Sequence, residues 1–427
     1  MPQPKKTTTP LIYFTCLMAR VLYSAWSNLM KPHTSLSPES ALERITSDLE
    51  PLPVEDVPLS ECLHRVLAQP LPARLEDPRF DKSAVDGIGL RREDSSPEFV
   101  LVGEIAAGDS GDYTLEPGQA VRIMTGARVP PEVGRVIKFE NCRIEGNRAR
   151  IIEPERITNI ARRGECIRAG EPLLSPRRLT PPDVGVLASQ GYSRIPVRAV
   201  PRVAVIATGD EIHPAGKDLP VAGIYDSNSF QLSAFARDAH ASVSNLGIVG
   251  DDLDRIRDTL AGAAAEHDVV ILSGGVSMGD LDFVPEALAA IGAETVFHGL
   301  AMKPGRPTLY ALLKQGRRTT RFFGLPGNPV STAVQFEILV RPTLEALGGA
   351  PAAPREAWLP LADDFIRRNS DRFEFLPGIV HEGAVARLPY TGSGHITVLA
   401  EATLFFRVDR GVSNLQAGSE VYVRFIR

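Results

Sequence analysis

Val203-Ala-Val-Ile-Ala-Thr-Gly-Asp-Glu211 is an apolar, strand-like run that ends in a glycine turn bearing two carboxylates. Three more glycine-rich turns follow apolar runs before residue 330, at Ser273–Asp280, Lys303–Pro307 and Leu325–Pro329. Loops that leave the carboxyl ends of parallel strands converge on one edge of a sheet, and ligands bind there. Glycine lets the backbone come close to such a ligand. The pattern therefore predicts a binding site at one edge of a parallel sheet.

The opening stretch belongs to a longer alternation of strand-like and helical segments. One predicted helix has its apolar side chains on a single stripe and either Asp251 or Asp252 as its N-cap. Alternating β and α segments predict a three-layer α/β domain with a mostly parallel sheet. The predicted strands are Val203–Ala207, Val243–Ile248, Val269–Leu272, Thr295–His298 and Arg321–Gly324, and the predicted helices are Phe230–Ala239, Leu253–Glu266, Phe283–Ala290 and Val330–Leu347.

The segments that flank the α/β domain have different textures. Short apolar runs alternate with Gly, Pro and Asp after residue 73, which is typical of an all-β module. Helical patterns surround that module and include a short helix predicted at Glu61–Leu67, whereas Ile396–Val408 forms an extended run in a strand-rich C-terminal region. The predicted fold is multidomain α/β plus β: an extension at 1–33, a mixed helical N-terminal linking domain at 34–72 and 160–198, a β-rich insert module at 73–159, a three-layer α/β domain at 199–347, and a small C-terminal β-barrel or sandwich at 355–427.

Composition narrows the classes of protein that this chain can belong to. The chain has 427 residues, 23% of them charged, and a net charge of −5, so it has no overall basic surface for nucleic acid. Its four cysteines contain no CxxC pair, which disfavours a zinc site or a disulfide framework and favours a reducing cytoplasm.

The first 33 residues differ from the rest of the chain. Two lysines precede an apolar stretch, Leu11–Ala19, which Arg20 interrupts. The stretch is too short to span a bilayer and only faintly resembles a signal peptide. We expect a disordered extension, with Met18 or Met30 as an alternative start and no membrane association.

The predicted edge of the α/β sheet combines cations with carboxylates. Lys303 and Arg306 flank a Pro-Gly turn, while Glu211, Asp226 and Asp282 follow other strands. Cations and hard oxygen ligands together suit a phosphate-bearing ligand held with a divalent metal.

Each of these residues also has an ordinary structural interpretation. Asp226 precedes a helix that Ser227 or Asn228 could cap, and a glycine turn such as Ser273-Gly274-Gly275 need not bind an anion. The convergence of all four loops is what favours a site.

The chain resembles the molybdopterin molybdenumtransferase family, which includes the E domain of gephyrin. The resemblance runs from about Leu36 to Arg427. The matching motifs are Phe80-Asp-Lys-Ser-Ala-Val-Asp-Gly87, Arg122-Ile-Met-Thr-Gly-Ala127, Arg163-Gly-Glu165, Thr208-Gly-Asp-Glu211, Tyr225-Asp-Ser-Asn228, Ser273-Gly-Gly-Val-Ser277, Lys303-Pro-Gly305 and Gly324-Leu-Pro-Gly-Asn-Pro-Val-Ser331.

The resemblance implies a four-domain, elongated homodimer that uses adenylylated molybdopterin and molybdate. With Mg²⁺ or another divalent cation, such an enzyme inserts molybdenum into the dithiolene and releases AMP. It further implies that the β module of one subunit faces the α/β domain of the other. The implied catalytic positions are Asp86, Thr125, Glu211, Asp226 and Asp282, with Asp226 and Asp282 linked to the metal; the implied substrate-binding positions are Ser273, Gly274, Gly275, Ser277, Lys303, Arg306, Pro326 and Asn328.

The chain departs from the family pattern at several positions. Lys82 stands where the family usually has Asn, Ile88 replaces the usual Tyr, and Cys166 replaces an Asp. Since Lys82 and Ile88 flank Asp86, one alternative is a non-catalytic pterin-binding or scaffold paralogue. A second alternative is a molybdopterin adenylyltransferase, because the α/β domain alone resembles that enzyme; the flanking β modules disfavour it.

Overall fold

The computed structural model describes residues 36–276, 282–350 and 355–427, so the extension predicted at 1–33 lies outside them. The chain forms two compact units. One contains Val54–Val197, and the other contains the residues up to Pro53 together with those from Arg198 onward. The first helix, α1 (Pro38–Thr46), starts after Ser37, whose side chain accepts a hydrogen bond from the Ser40 N–H at 3.1 Å and so caps the helix.

The unit Val54–Val197 is built mainly from β-strands. Its strands are β1 (Val54–Pro58), β2 (Leu71–Pro72), β3 (Lys82–Ser83), β4 (Gly87–Arg91), β5 (Glu98–Ile105), β6 (Gln119–Ile123), β7 (Val133–Lys138), β8 (Cys142–Glu145), β9 (Arg148–Ile151), β10 (Ile160–Ala161), β11 (Pro172–Leu174) and β12 (Arg194–Arg198), and its helix is α2 (Pro181–Ser189). One sheet runs in the order β7-β4-β6-β5-β9-β8, and short pairs join β1 to β12, β2 to β11 and β3 to β10. Buried side chains cover both faces of the larger sheet.

The other unit begins with an α/β region. Its elements are β13 (Arg202–Thr208), β14 (Ile212–His213), β15 (Ile224–Tyr225), α3 (Asn228–Asp238), β16 (Ser242–Val249), α4 (Leu253–Glu266), β17 (Val269–Ser273), α5 (Val284–Ala290), β18 (Glu294–His298), β19 (Met302–Lys303), β20 (Leu309–Gln315), β21 (Arg318–Leu325), α6 (Pro329–Gln335), a π-helical turn (Phe336–Val340) and α7 (Arg341–Leu347).

The sheet of this region runs in the order β16-β13-β17-β21-β20-β18. Strands β16, β13, β17 and β21 are parallel neighbours, while β20 is antiparallel to both β21 and β18. Alternate side chains of β13 enter different cores: Val203 and Val205 pack with α3 and α6, and Ala204 and Ile206 pack with α4 and α5. The sheet is therefore mostly parallel and buried on both faces, as the sequence predicts.

A second sheet follows in the same unit. Its elements are β22 (Glu356–Pro360), β23 (Phe365–Ile366), β24 (Phe373–His381), β25 (Ala384–Arg387), a 3₁₀ turn (Ile396–Ala400), β26 (Leu404–Val408), β27 (Asn414–Leu415) and β28 (Glu420–Phe425). The order is β19-β24-β26-β28-β22, with β25 on β24. Strand β19 lies in the loop that carries Lys303, so its parallel pairing with β24 ties that loop to the C-terminal sheet.

Three predicted elements differ from the observed ones. The helix predicted at Glu61–Leu67 is wrong, because Leu67 instead donates its N–H to the Arg177 carbonyl at 2.9 Å. The extended run predicted at Ile396–Val408 begins with a 3₁₀ turn, and the helix predicted at Val330–Leu347 contains the π turn. Within the described ranges, the structure contains no helix with the length and apolar character needed to cross a membrane.

Candidate functional site

A cleft of about 1130 Å³ lies at the carboxyl ends of β13, β17 and β21. The loops after these strands line it, together with residues of the C-terminal sheet. Its volume is slightly above the range of about 300–1,000 Å³ that is usual for small-molecule sites. The cleft lies at the edge of the sheet where the sequence predicts a site, and we take it as the candidate.

The Ser273-Gly274-Gly275 turn approaches the end of β13 very closely. Gly274 has φ +99°, and a Cβ added there would lie 2.5 Å from the Thr208 carbonyl oxygen. Only glycine fits this backbone conformation and spacing. The turn thus brings the ends of β13 and β17 together at the floor of the cleft.

Asp226 caps helix α3. One carboxylate oxygen accepts the Ser229 N–H at 2.9 Å, and the other accepts the Ser229 hydroxyl. The sequence offered Ser227 or Asn228 as the cap, but neither side chain makes the capping bond. Asp226 still lines the cleft, although both of its oxygens already accept hydrogen bonds.

Asn228 connects three of the site's loops, and sequence reasoning did not include it among the site residues. Its amide nitrogen donates to the Ser273 hydroxyl at 2.7 Å and to the Gly327 carbonyl at 2.6 Å. The side chain therefore holds the starts of α3 and α6 against the β17 loop. A signal was available in the sequence, since Asn228 ends a matched motif.

Several carboxylates share the cleft. Glu211, Asp251 and Asp282 line it, and Asp210 lies beside Asp251, whose N–H donates to the Asp210 carboxylate at 3.1 Å. Burial raises the pKa of the Asp251 carboxyl, and the negative charges of Asp210, Glu211 and Asp282 add to that rise. This part of the cleft is therefore a region of negative potential that a cation would relieve.

Lys303 is anchored by the C-terminal sheet. Its ammonium lies 2.7 Å from Glu374, which is 5% exposed and also lies 3.3 Å from Arg367. The Lys303 side chain remains 58% exposed and lines the cleft. Glu374 thus fixes the position of the ammonium without removing it from the cleft.

Two guanidinium groups also line the cleft. Arg306 is exposed and Arg372 is half-buried. Within the part of the chain that the structure describes, neither side chain makes an ion pair or a hydrogen bond. Arginines beside a lysine have the chemistry that suits oxyanions, because guanidinium matches the geometry of these anions in a bidentate manner.

The C-terminal wall of the cleft is a part of the site that sequence reasoning missed. It includes Arg372, Glu374 and Tyr390, and Ser393 accepts the Val330 N–H at 3.1 Å. Burial, with a contribution from Glu374, raises the pKa of Tyr390 to about 12, so its phenol is a neutral donor at physiological pH. The sequence predicts these residues in a separate C-terminal β domain and does not assign them to the site.

Asp86 and Thr125 form a pair in the unit Val54–Val197. The Asp86 carboxylate accepts the Thr125 N–H at 2.7 Å and the Thr125 hydroxyl at 2.8 Å. These two bonds hold the pKa of the Asp86 carboxyl below its usual value. Lys82 starts β3, and Ile88 is fully buried in β4, so the departure at Ile88 occupies a core position.

The predicted residues fall into three groups. Asp86 and Thr125 contact each other, as just described. Ser277 lies outside the described residues. The remaining predicted residues all line the single cleft: Glu211, Asp226, Ser273, Gly274, Gly275, Asp282, Lys303, Arg306, Pro326 and Asn328.

Family models match the chain in three consecutive segments. Residues 36–191 match the "MoeA N-terminal region (domain I and II)", residues 204–346 match the "Probable molybdopterin binding domain", and residues 359–426 match the "MoeA C-terminal region (domain IV)".

Curated relatives extend these matches over nearly the whole chain. The molybdopterin molybdenumtransferase of Staphylococcus epidermidis is 32% identical over 408 residues, which cover 92% of this chain and 96% of that protein. The chain belongs to the molybdopterin molybdenumtransferase family. The Staphylococcus aureus enzyme of the same name is also 32% identical, over 396 residues that cover 90% of this chain and 94% of that protein.

A solved structure agrees with this assignment. The molybdopterin biosynthesis MoeA protein of Pyrococcus horikoshii has a TM-score of 0.79 and 29% identity, and the match covers 92% of this chain and 100% of that one. The molybdopterin molybdenumtransferase family predicted from the sequence is therefore confirmed, and with it the class of enzyme.

Proposed function

We propose that this protein inserts molybdenum into molybdopterin, using adenylylated molybdopterin and molybdate and releasing AMP, in the cytoplasm. The relatives named molybdopterin molybdenumtransferase support the transfer of molybdenum. The observation that carries the proposal for this chain is the cleft, where Lys303, Arg306 and Arg372 lie together.

The ligands of the proposed reaction are anionic, and the cleft has complementary groups for them. Lys303 would contact a phosphate as a point charge, while Arg306 and Arg372 would bind a tetrahedral oxyanion through paired N–H groups. Tyr390 can donate its phenolic hydrogen. These side chains would hold the pterin phosphate and molybdate in one cleft, which lowers the entropy cost of their reaction.

A divalent cation fits this cleft only together with substrate. Among the described residues, no three His, Cys, Asp or Glu side chains are arranged to hold a metal ion. Mg²⁺ commonly binds one or two carboxylates and completes its coordination with water and substrate phosphates. Asp282 and Asp226 would supply the carboxylates, and the acidic surroundings of Asp251 favour a cation nearby. Such a cation would polarise the phosphoanhydride.

We also propose that the protein is a homodimer, in which the Asp86–Thr125 pair of one subunit contributes to catalysis with the cleft of the other. Asp86→Ala and Lys303→Ala should each impair the enzyme, and mixing the two proteins under subunit exchange should restore part of the lost activity. If no activity is recovered although light scattering of tagged subunits verifies the exchange, the shared site is contradicted.

The function is tested by incubating purified protein with adenylylated molybdopterin, magnesium and increasing molybdate. AMP release that requires molybdate supports the proposal. Pterin binding without AMP release would indicate a scaffold, and consumption of ATP with unadenylylated molybdopterin would indicate an adenylyltransferase.

A further inference from the structure

Gln335 lies below the cleft, at the end of α6 and immediately before the π turn. It is fully buried and does not line the cleft. Its amide nitrogen donates to the Gly305 carbonyl at 2.6 Å. Gly305 lies between Lys303 and Arg306, the two cations of the loop that does line the cleft.

The contact between Gln335 and the loop requires glycine at position 305. Gly305 has φ +105°, and a Cβ added there would lie 1.7 Å from the Gln335 amide nitrogen. The same carbonyl accepts the hydroxyl of the buried Thr308 at 2.8 Å. Two buried donors therefore hold one carbonyl in the middle of the loop.

The other end of the Gln335 amide has no such partner. Because the Gly305 carbonyl can only accept, the amide nitrogen must face it. The amide oxygen is then buried and, among the described residues, accepts no hydrogen bond. A buried polar atom without a partner reduces stability, so the amide is not explained by core packing alone.

The segment that carries Gln335 is itself held in place. The next turn is π-helical, and within it Glu337 forms two hydrogen bonds with Arg341, at 2.7 and 2.8 Å. Both side chains are fully buried. The amide of Gln335 therefore projects from a fixed support toward Gly305.

We propose that Gln335 is a positioning residue that holds the Lys303–Arg306 loop in its substrate-binding conformation, and so acts on the anionic substrate through those two cations. This inference rests on the proposed function for its kinetic part. Its structural part, the fixing of the loop, stands on the contacts alone.

The test compares Gln335→Met with the wild-type protein. Methionine fills a similar volume but cannot donate to Gly305, and it removes the unpartnered oxygen. We expect the thermal midpoint to stay the same or rise. The Leu300 N–H donates to the Arg306 carbonyl at 2.9 Å, and its hydrogen exchange should become faster in the free protein. The KM for molybdate or for adenylylated molybdopterin should rise about three- to tenfold, with kcat changed less than about twofold.

Two further variants make the result decisive. Thr343→Val removes another fully buried hydrogen bond from α7, the 2.7 Å bond to the Leu339 carbonyl, and should leave exchange at the loop unchanged. Thr308→Val removes the second donor to Gly305 and should speed exchange at the same Leu300 amide. It takes the place of Gln335→Met if that variant does not fold.

Unchanged exchange at the Leu300 amide in the folded variants would overturn the proposal, as would equal acceleration in Thr343→Val. Faster exchange with an unchanged KM would also overturn it, because the loop would then move without affecting substrate. If the wild-type protein shows no turnover, the proposed function fails, and the exchange measurement still decides whether Gln335 holds the loop.

Discussion

At the scale of single residues, the cations of the cleft are of two kinds. A carboxylate holds one of them in place, and the others make no ion pair with any described residue. Lys303 contacts the buried carboxylate of Glu374, whereas Arg306 and Arg372 have no ion-pair partner among the described residues. The buried Glu374 carboxylate contacts both Lys303 and Arg367, and these two contacts fix its position. Lys303 is thus oriented before any ligand arrives, and the arginines remain available to bind oxyanions.

Lys303→Ala should weaken binding of the phosphate-bearing pterin without unfolding the protein. The side chain is mostly exposed, and Glu374 keeps its contact with Arg367. A charge-assisted hydrogen bond contributes about 1.5–3 kcal/mol, so affinity should fall about tenfold or more. Calorimetric titration with pterin measures this, with Lys314→Ala on β20, outside the cleft, as the matched control. Equal affinity in wild type and Lys303→Ala would make Lys303 a surface charge.

Asp282→Asn should reduce turnover more than it reduces pterin affinity. Asparagine keeps the shape of the side chain but removes the charge that a divalent cation would need. Titration with Mg²⁺ should show a higher metal requirement for AMP release. If Asp282 only caps α5, asparagine would replace it well, since the two residues cap helices about equally. AMP release near the wild-type rate would therefore exclude the metal role.

Asp251→Asn should raise the thermal midpoint at pH 7. Burial and neighbouring carboxylates raise the pKa of Asp251 in the folded protein, so ionising it costs stability. This cost is absent below a pH of about 3.9, the pKa of an aspartate in the unfolded chain. It develops as the pH rises through the higher pKa that Asp251 has in the folded protein. The increase in thermal midpoint that Asp251→Asn produces should accordingly become smaller as the pH is lowered toward 4.

Differential scanning fluorimetry from pH 4 to pH 8 measures this effect. Asp218→Asn, at an exposed loop position, serves as the control and should not change the midpoint. A gain for Asp251→Asn that is the same at pH 4 and pH 7 would show that the carboxylate charge is not its cause.

At the scale of secondary-structure elements, the sequence predicts well where local signals decide. Helix α4 has the predicted bounds, because the Asp252 carboxylate accepts the Arg255 N–H at 2.8 Å and the apolar stripe sets its length. Strand β20 was not predicted, because its antiparallel pairing with β21 interrupts the alternation of β-strands and α-helices. The π turn was not predicted either, since the buried Glu337–Arg341 pair that accompanies it depends on tertiary packing.

Arg341→Met should destabilise the unit that contains the cleft by about 3–5 kcal/mol, because it leaves the buried Glu337 carboxylate without its partner. The double variant Arg341→Met with Glu337→Leu should recover most of the loss, since it removes both charges. Urea unfolding followed by tryptophan fluorescence measures both. Arg257→Met on α4 breaks an exposed pair with Asp254 and should have little effect. Equal losses in the single and double variants would mean that packing, not charge, dominates.

At the scale of the whole molecule, the predicted family is confirmed, whereas the wall that the C-terminal sheet contributes to the cleft was not predicted. The four glycine turns identify the edge of the α/β sheet because their signals are local. Arg372, Glu374 and Tyr390 reach that edge through long-range contacts, among them the pairing of β19 with β24, which joins positions about 70 residues apart in the sequence. No short motif encodes such a pairing.

The transfer of molybdenum itself tests the central claim most directly. The pterin product would be isolated after reaction with adenylylated molybdopterin, molybdate and magnesium, and its ability to activate a molybdenum-free molybdoenzyme would be measured. We expect activation that requires molybdate in the first reaction and that falls when Lys303→Ala replaces the wild-type protein. A pterin product that has lost AMP but carries no molybdenum, and that activates nothing, would contradict the account.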